Sequence, residues 1–224
     1  MIETLIQTLQ ENWPALAKAF YETGFMVFFA ILAAIFLGLP LGILVFFTRA
    51  DGLAPNRFMW VLADGFVTVI RSFPFLLFVV FLIPLTRAVM GTSFGLAGGT
   101  FPLLFVAVAI YARLTEQILL EINPKILHTA TAMGATRLQI ATRFVLSEAR
   151  PGLVYALTSA TITLISYSTI LGVVGAGGLG DFALRYGYQQ YNFVLMYFAV
   201  IITVASVLVI QFVGHKLSAK LDKR

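Results

Sequence analysis

Long apolar runs alternate with short charged or glycine-rich intervals along this chain. A membrane-spanning helix needs about 20 mostly apolar residues. Residues 24–47, GFMVFFAILAAIFLGLPLGILVFF, meet that length without a single charge. The interval TRADGLAPNR follows, with Gly52 and Pro55 as breakers. A second run covers about 58–86 and contains Asp64, Gly65, Arg71, Pro74 and Pro84. The segment RAVMGTSFGLAGGT then reads as a loop, because it is rich in glycine and lacks an apolar period. The third run, about 101–121, carries Arg113 and Glu116 towards its far end. The fourth lies at about 152–175 and the fifth at about 193–214, separated by the glycine-rich loop GAGGLGDFALRYGYQQY. Ahead of the first run, residues 1–23 form an amphipathic lead-in with Leu5, Ile6 and Leu9 at helical spacing. Its early acids and missing basic start do not suit a cleavable signal peptide. After the last run comes a basic tail, 215–224. The pattern predicts an all-α integral membrane protein with one membrane domain, 24–214, and five spans.

One interval breaks the pattern. Residues 123–153, NPKILHTATAMGATRLQIATRFVLSEARPGL, are polar and far longer than a turn between two spans requires. Asn123 followed by Pro124 is a helix start: a capping side chain, then a residue whose missing N–H costs nothing there. Gly134 suits the end of that helix. Thr136 can cap a second short helix, and Pro151 with Gly152 is expected to break the chain before the fourth span. The second helix has a loose apolar side of Leu138, Ile140, Phe144 and Val145. Such a segment either rests on lipid headgroups or docks a soluble partner. The small residues Thr129, Ala130, Thr131, Ala132 and Gly134 make a narrow helix with little to anchor it in lipid. They favour docking.

Composition agrees with the membrane reading. Hydrophobic residues make up 60% of the chain and charged residues 11%, against about a quarter in soluble domains. The absence of cysteine excludes disulfides and thiol chemistry, and His128 and His215 are too few for a histidine metal site. The net charge of +5 therefore speaks about topology rather than nucleic acid. With the tail and the polar stretch in the cytoplasm, Arg49, Arg57, Arg113, Lys125, Arg137, Arg143, Arg150, Lys216, Lys220, Lys223 and Arg224 all lie inside. Lys18, Arg87 and Arg185 lie outside, and Arg71 lies within the membrane. Five spans then put the N-terminus outside and the C-terminus in the cytoplasm.

Several groups inside the spans are candidates for a transport path. Asp64 and Arg71, seven residues apart, share a helix face, and charges at membrane depth usually face a bundle interior or water. They are path residues or interfacial groups bonded to helix ends. Arg113 and Glu116, three apart, suit a structural pair. The fourth span is rich in hydroxyls (Ser159, Thr161, Thr163, Ser166, Ser168 and Thr169), which either pack helices or line a polar path. Tyr167, Ile170 and Leu171 are candidates for an apolar gate beside Ser166. Gly177, Gly178 and Gly180 form an ordinary turn or a gate loop. They are not a phosphate-binding loop, since no Lys-Ser/Thr follows.

The polar stretch resembles the coupling motif of ABC importer permeases, in which Glu-Ala-Ala, three residues and Gly lead to a Leu-Pro-like end. Here those positions hold His128, Thr129 and Ala130, then Gly134, then Leu146-Ser147. The core Met133-Gly134-Ala135-Thr136 fits, and the departures are His128, Thr129 and Ser147. RSFPFLLFVVFLIPLTRAVMGTSFG (71–95) and SYSTILGVVGAGGLGDFALRYGYQQYN (166–192) are similar to permease subunits of methionine importers. The likeness covers essentially the whole chain.

The resemblance implies a type I ABC importer fold in a bacterial inner membrane, with the coupling segment at 123–150 between the third and fourth spans. It implies a homodimer docked to two cytosolic ABC ATPase subunits, and methionine delivered by an extracytoplasmic binding protein. Lys125, His128, Thr129, Ala130, Met133, Gly134, Ala135, Thr136 and Arg137 would then contact the ATPase. ATP and magnesium would belong to the ATPase, leaving this chain non-catalytic and free of cofactors. Rival expectations are a permease for another small amino acid, an ion-gradient transporter using Asp64 or Glu116, and a scaffold that transports nothing.

Overall fold

The computed structural model describes residues 2–222, with side chains from Gln7 onward. The side chains of Leu5 and Ile6, and the tail cations Lys223 and Arg224, lie outside the described residues. The described residues are helical almost throughout. In chain order the helices are α1 (Ile2–Ala33), α2 (Leu39–Thr48), α3 (Arg57–Ser72), α4 (Phe75–Phe81), α5 (Ile83–Met90) and α6 (Gly95–Leu120). Then follow α7 (Pro124–Ala132), α8 (Arg137–Gln139), α9 (Leu146–Val173), α10 (Gly178–Phe182) and α11 (Phe193–Leu221). Wide π-type turns continue the helix at Ala34–Gly38, Ile140–Val145 and Ala183–Tyr188.

Among the described residues, four helical stretches are long and apolar enough to cross a bilayer: Gln7–Thr48, Gly95–Leu120, Arg137–Val173 and Phe193–Leu221. The bent pair α3 and α4 makes a fifth if it is one span. Their order is that of the five apolar runs, but several boundaries differ from the expected ones. The lead-in and the first run are one helix without a break at 23–24. The loop expected at 87–100 is largely helical: α5 extends to Met90 and α6 starts at Gly95. The second run is broken at Pro74, whose ψ of 127° leaves the helical region. The glycine-rich loop is also mostly helix, since α10 and the wide turn after it cover 178–188.

The largest correction concerns Pro151 and Gly152, which do not break the chain. The helix runs from Arg137 through both residues to Val173. Buried Val145, Ala149 and Leu153 hold it on both sides of the proline, which forfeits one ladder bond but does not end the helix. The Pro151 carbonyl accepts a 2.8 Å hydrogen bond from the Ser218 hydroxyl. Gly152 serves close packing: a Cβ there would sit 2.8 Å from Ile118 Cγ2 of α6.

The chain divides into two compact units. One comprises Met1–Ile31, Phe73–Phe105 and Thr161–Ile210; the other comprises Leu32–Ser72, Val106–Ala160 and Gln211–Arg224. In the first, Leu16 and Ala19 of α1 pack with Leu179 and Phe182 of α10 and Leu195 and Ala199 of α11. In the second, Phe46, Phe47, Leu119, Ala130, Ile140, Val145 and Leu153 form a core under the polar stretch. That core fixes α7 to the ends of α2, α6 and α9. Burying such side chains contributes about 1.5–3 kcal/mol each for the larger ones.

Candidate functional site

The polar stretch in the second unit is a closely specified helix–turn–helix. Asn123 Oδ1 accepts from the Lys125 N–H at 3.0 Å, and Pro124 occupies the first turn of α7. At the other end, Gly134 has φ +72°. The Ala135 N–H bonds the Ala130 carbonyl at 3.1 Å, and the Gly134 N–H bonds that of Thr131 at 3.0 Å. This six-to-one and five-to-two pair is a Schellman motif, which needs a left-handed residue where Gly134 stands. A capping box opens the next helix: the Gln139 N–H donates to Thr136 Oγ1 at 3.3 Å, and the Thr136 N–H to Gln139 Oε1 at 2.9 Å. Three caps between Asn123 and Gln139 leave the turn little freedom.

The helix is two-faced. Ala130 is fully buried, and Ile126, Leu127 and Ala135 pack partly against the same core. The outward stripe holds Lys125, His128, Thr129, Ala132 and Met133, at the three- and four-residue spacing of one helix face. Met133 is 71% exposed, and Leu138 just beyond the turn is 73% exposed. A Cβ at Gly134 would meet nothing within 4 Å, so the glycine answers to its dihedral angle and to whatever lies outside. Of the nine residues expected to meet a partner, seven lie outward with Thr136 and Arg137 included. Ala130 is an anchor, and Ala135 is half-buried.

The charged candidates are distributed otherwise than their spacing suggested. Arg113 Nη2 lies 2.7 Å from Asp64 Oδ1, and its Nη1 lies 2.5 Å from Glu116 Oε2. Arg113 Nη2 also donates to Thr68 Oγ1 at 2.8 Å. The guanidinium thus ties α3 to α6 and joins two carboxylates, while Arg71 is exposed and takes no part in the cluster. The expected Arg113–Glu116 pair is present, and Asp64 is its third member. No spacing signal connects residues 49 positions apart.

The candidates in the fourth span separate similarly in the first unit. Ser166 donates to the Ile162 carbonyl, Ser168 to that of Ile165 and Thr169 to that of Ser166. Hydroxyls bonded to their own helix are free to pack against neighbours without further partners. Tyr167 stacks on Phe75 with ring centroids 4.3 Å apart and planes 6° apart. Leu171 is fully buried, and Ile170 is half-buried.

The glycine loop has anchors that the sequence did not signal. Gly177 and Gly178 have φ of +86° and +84°, which aims their following N–H groups at α1. The Gly178 N–H donates to Glu22 Oε2 at 2.8 Å and the Leu179 N–H to Thr23 Oγ1 at 2.9 Å. A side chain at Gly177 would overlap the Glu22 carboxylate. Glu22 and Thr23 stood in the amphipathic lead-in without any local mark of this role.

Long apolar helices in this order, with a capped turn joining α7 to the helix that starts at Arg137, define a helical membrane component. Residues 34–224 match the family described as the binding-protein-dependent transport system inner membrane component, and the chain belongs to that family. The Vibrio cholerae protein named probable D-methionine transport system permease protein MetI is 37% identical over 221 residues, 99% of this chain and 98% of its own. The Escherichia coli K12 D-methionine transport system permease protein MetI is 39% identical over 157 residues, 70% of this chain and 72% of its own. Among solved structures, the MetNI methionine ABC transporter in an inward-facing conformation superposes with a TM-score of 0.91 at 37% identity, covering 95% of this chain and 99% of that one. An amino acid ABC transporter crystallised with histidines shares the fold, with a TM-score of 0.74 at 18% identity.

Proposed function

We propose that this chain is the permease subunit of an ATP-driven methionine importer, and that the outward stripe of α7 is where a cytosolic ATPase drives it. The observation that carries the proposal is the pairing of a rigidly capped, exposed helix with a buried anchor at Ala130. A partner pulling on Lys125, His128, Thr129 and Met133 moves the core behind Ala130 as one body, because the Schellman turn and the capping box leave no slack. Rigid-body transmission of this kind is how a nucleotide-driven closure reaches membrane helices. The relatives named for methionine transport supply the substrate, and the basic residues supply the orientation, N-terminus outside and C-terminus in the cytoplasm.

In this reading the permease works as a homodimer with two ATPase subunits and receives methionine from an extracytoplasmic binding protein. ATP and magnesium act on the ATPase, and this chain binds no cofactor. An ion-gradient mechanism would need Asp64 or Glu116 free to take up a cation, whereas both share Arg113. The test is ATP hydrolysis by the co-purified permease and ATPase, measured across amino acids with binding protein present. Stimulation by loaded methionine-binding protein alone is expected. Equal stimulation by several small amino acids would replace the substrate, and no association with any ABC ATPase would end the proposal.

A further inference from the structure

Beside the helix pair, within the second unit, lies a cavity of about 490 Å³. It is bounded by the end of α2, the turn after it, the start of α3 and the start of the helix at Arg137. Its walls are chiefly apolar, from Leu44, Phe47, Met59 and Leu138. Its polar lining residues are few: Arg137, Asn56 and Thr48. The Thr48 hydroxyl donates to the Leu44 carbonyl at 2.7 Å, and Asn56 Oδ1 accepts from the Met59 N–H at 3.1 Å. The Asn56 NH₂ and Arg137 therefore remain as donors towards a ligand.

The rim is preformed. The Gly52 N–H bonds the Arg49 carbonyl, the Ala54 N–H that of Phe47 and the Asn56 N–H that of Thr48, all at 2.9–3.0 Å. Thr136 and Gln139 fix the backbone beside Arg137 by their reciprocal bonds. Thr48 is also the last residue of the first long apolar helical stretch, and Arg49 is the first charge after the uncharged run 24–47, the pattern expected at a headgroup margin.

Charge at this margin is mostly positive. Arg49 and Arg57 flank the lining residues Thr48 and Asn56 in sequence, and Arg137 is in the wall itself. Asp51, the acid in the turn, lies 3.9 Å from Arg49. Neither Arg57 nor Arg137 has a carboxylate partner among the described residues. A small water-soluble anion would leave the apolar walls unused. A bare acyl chain would leave the guanidinium unused. A ligand with a phosphate at one end and hydrocarbon at the other satisfies both.

We propose that this cavity binds an anionic phospholipid, with its phosphate on Arg137 and Asn56 and its upper acyl carbons against Leu44, Phe47, Met59 and Leu138. Basic pockets beside spanning helices take anionic headgroups by this combination of charge and apolar contact. The site requires the membrane setting and is independent of which substrate is carried. Because one wall belongs to the helix that follows Gly134, the lipid would brace the base of the helix pair.

The experiment is native mass spectrometry of the delipidated permease–ATPase complex, titrated with phosphatidylglycerol or with phosphatidylcholine of the same chains. Preferential retention of phosphatidylglycerol is expected. Arg137→Gln should weaken it about fivefold, the worth of one cation at a lipid surface. Met59→Trp should fill the cavity and abolish retention, and Lys220→Gln should change nothing. Arg137 is exposed, so its replacement does not threaten folding, and retention is compared only in spectra where the ATPase, which Arg137 is expected to contact, stays bound. Equal retention of the two lipids would overturn the proposal, as would unchanged phosphatidylglycerol binding by Arg137→Gln. Displacement of the lipid by millimolar inorganic phosphate would assign the site to free phosphate instead. Lipid held by the permease alone but not by the complex would assign it to the ATPase.

Discussion

Gly134 carries two demands that only glycine meets at once. Its φ of +72° would cost an L-residue about 1–2 kcal/mol, and its outward side is bare. Gly134→Arg should therefore abolish methionine uptake while the protein reaches wild-type membrane levels. Uptake and immunoblotting in the same cells check this. His128 is exposed and its imidazole makes no hydrogen bond or ion pair among the described residues, so His128→Glu should retain uptake within about twofold. Arg113 is the opposite kind of residue, important for what it holds together. Removing it leaves buried Glu116 and half-buried Asp64 without their shared cation. Breaking a buried ion pair costs about 3–5 kcal/mol, so Arg113→Gln should lower the thermal midpoint of the purified permease by several degrees. Asp64→Asn should cost less, because Glu116 still balances the guanidinium. The Arg113–Glu116 pair is legible from its three-residue spacing. Asp64 joins them through tertiary packing alone, which no local pattern encodes.

At the scale of elements, the membrane spans were legible because length and unbroken hydrophobicity are properties of single segments. The caps of α7 and of the next helix were legible for the same reason: Asn123, Gly134 and Thr136 act on neighbours within a turn. Proline and glycine misled where tertiary contacts decide their meaning. Pro151 and Gly152 have the composition of a breaker, yet one sits in a helix held by Val145, Ala149 and Leu153, and the other makes room for Ile118. Pro151→Ala should accordingly leave stability unchanged or raised. Gly152→Val should lower it by about 1–3 kcal/mol through overpacking. Thermal unfolding of both variants in detergent distinguishes a continuous helix from a broken one. Ala130 is buried and Ala135 half-buried for a related reason, since small side chains serve a narrow exposed helix and a tight buried contact equally well. The clasp of Glu22 and Thr23 on α10 joins residues 156 positions apart. A charge-assisted hydrogen bond contributes about 1.5–3 kcal/mol. Glu22→Ala should then speed amide exchange at Gly178 and Leu179 at least tenfold, as read by hydrogen–deuterium exchange.

The whole molecule is a membrane transport component in which α7, capped at both ends, is exposed on one face and rooted in a core on the other. Its family membership fixes the class of machine. Its remaining assignment, an importer moved from outside itself through α7, makes a demand on energy supply: this chain alone should carry nothing uphill. Proteoliposomes containing the permease, with ATP inside and methionine with its binding protein outside, test that demand most directly when the cognate ATPase is present or omitted. Uptake that requires the ATPase and disappears with Gly134→Arg is the predicted result. Concentrative uptake by the permease alone, driven by an imposed ion gradient, would contradict it.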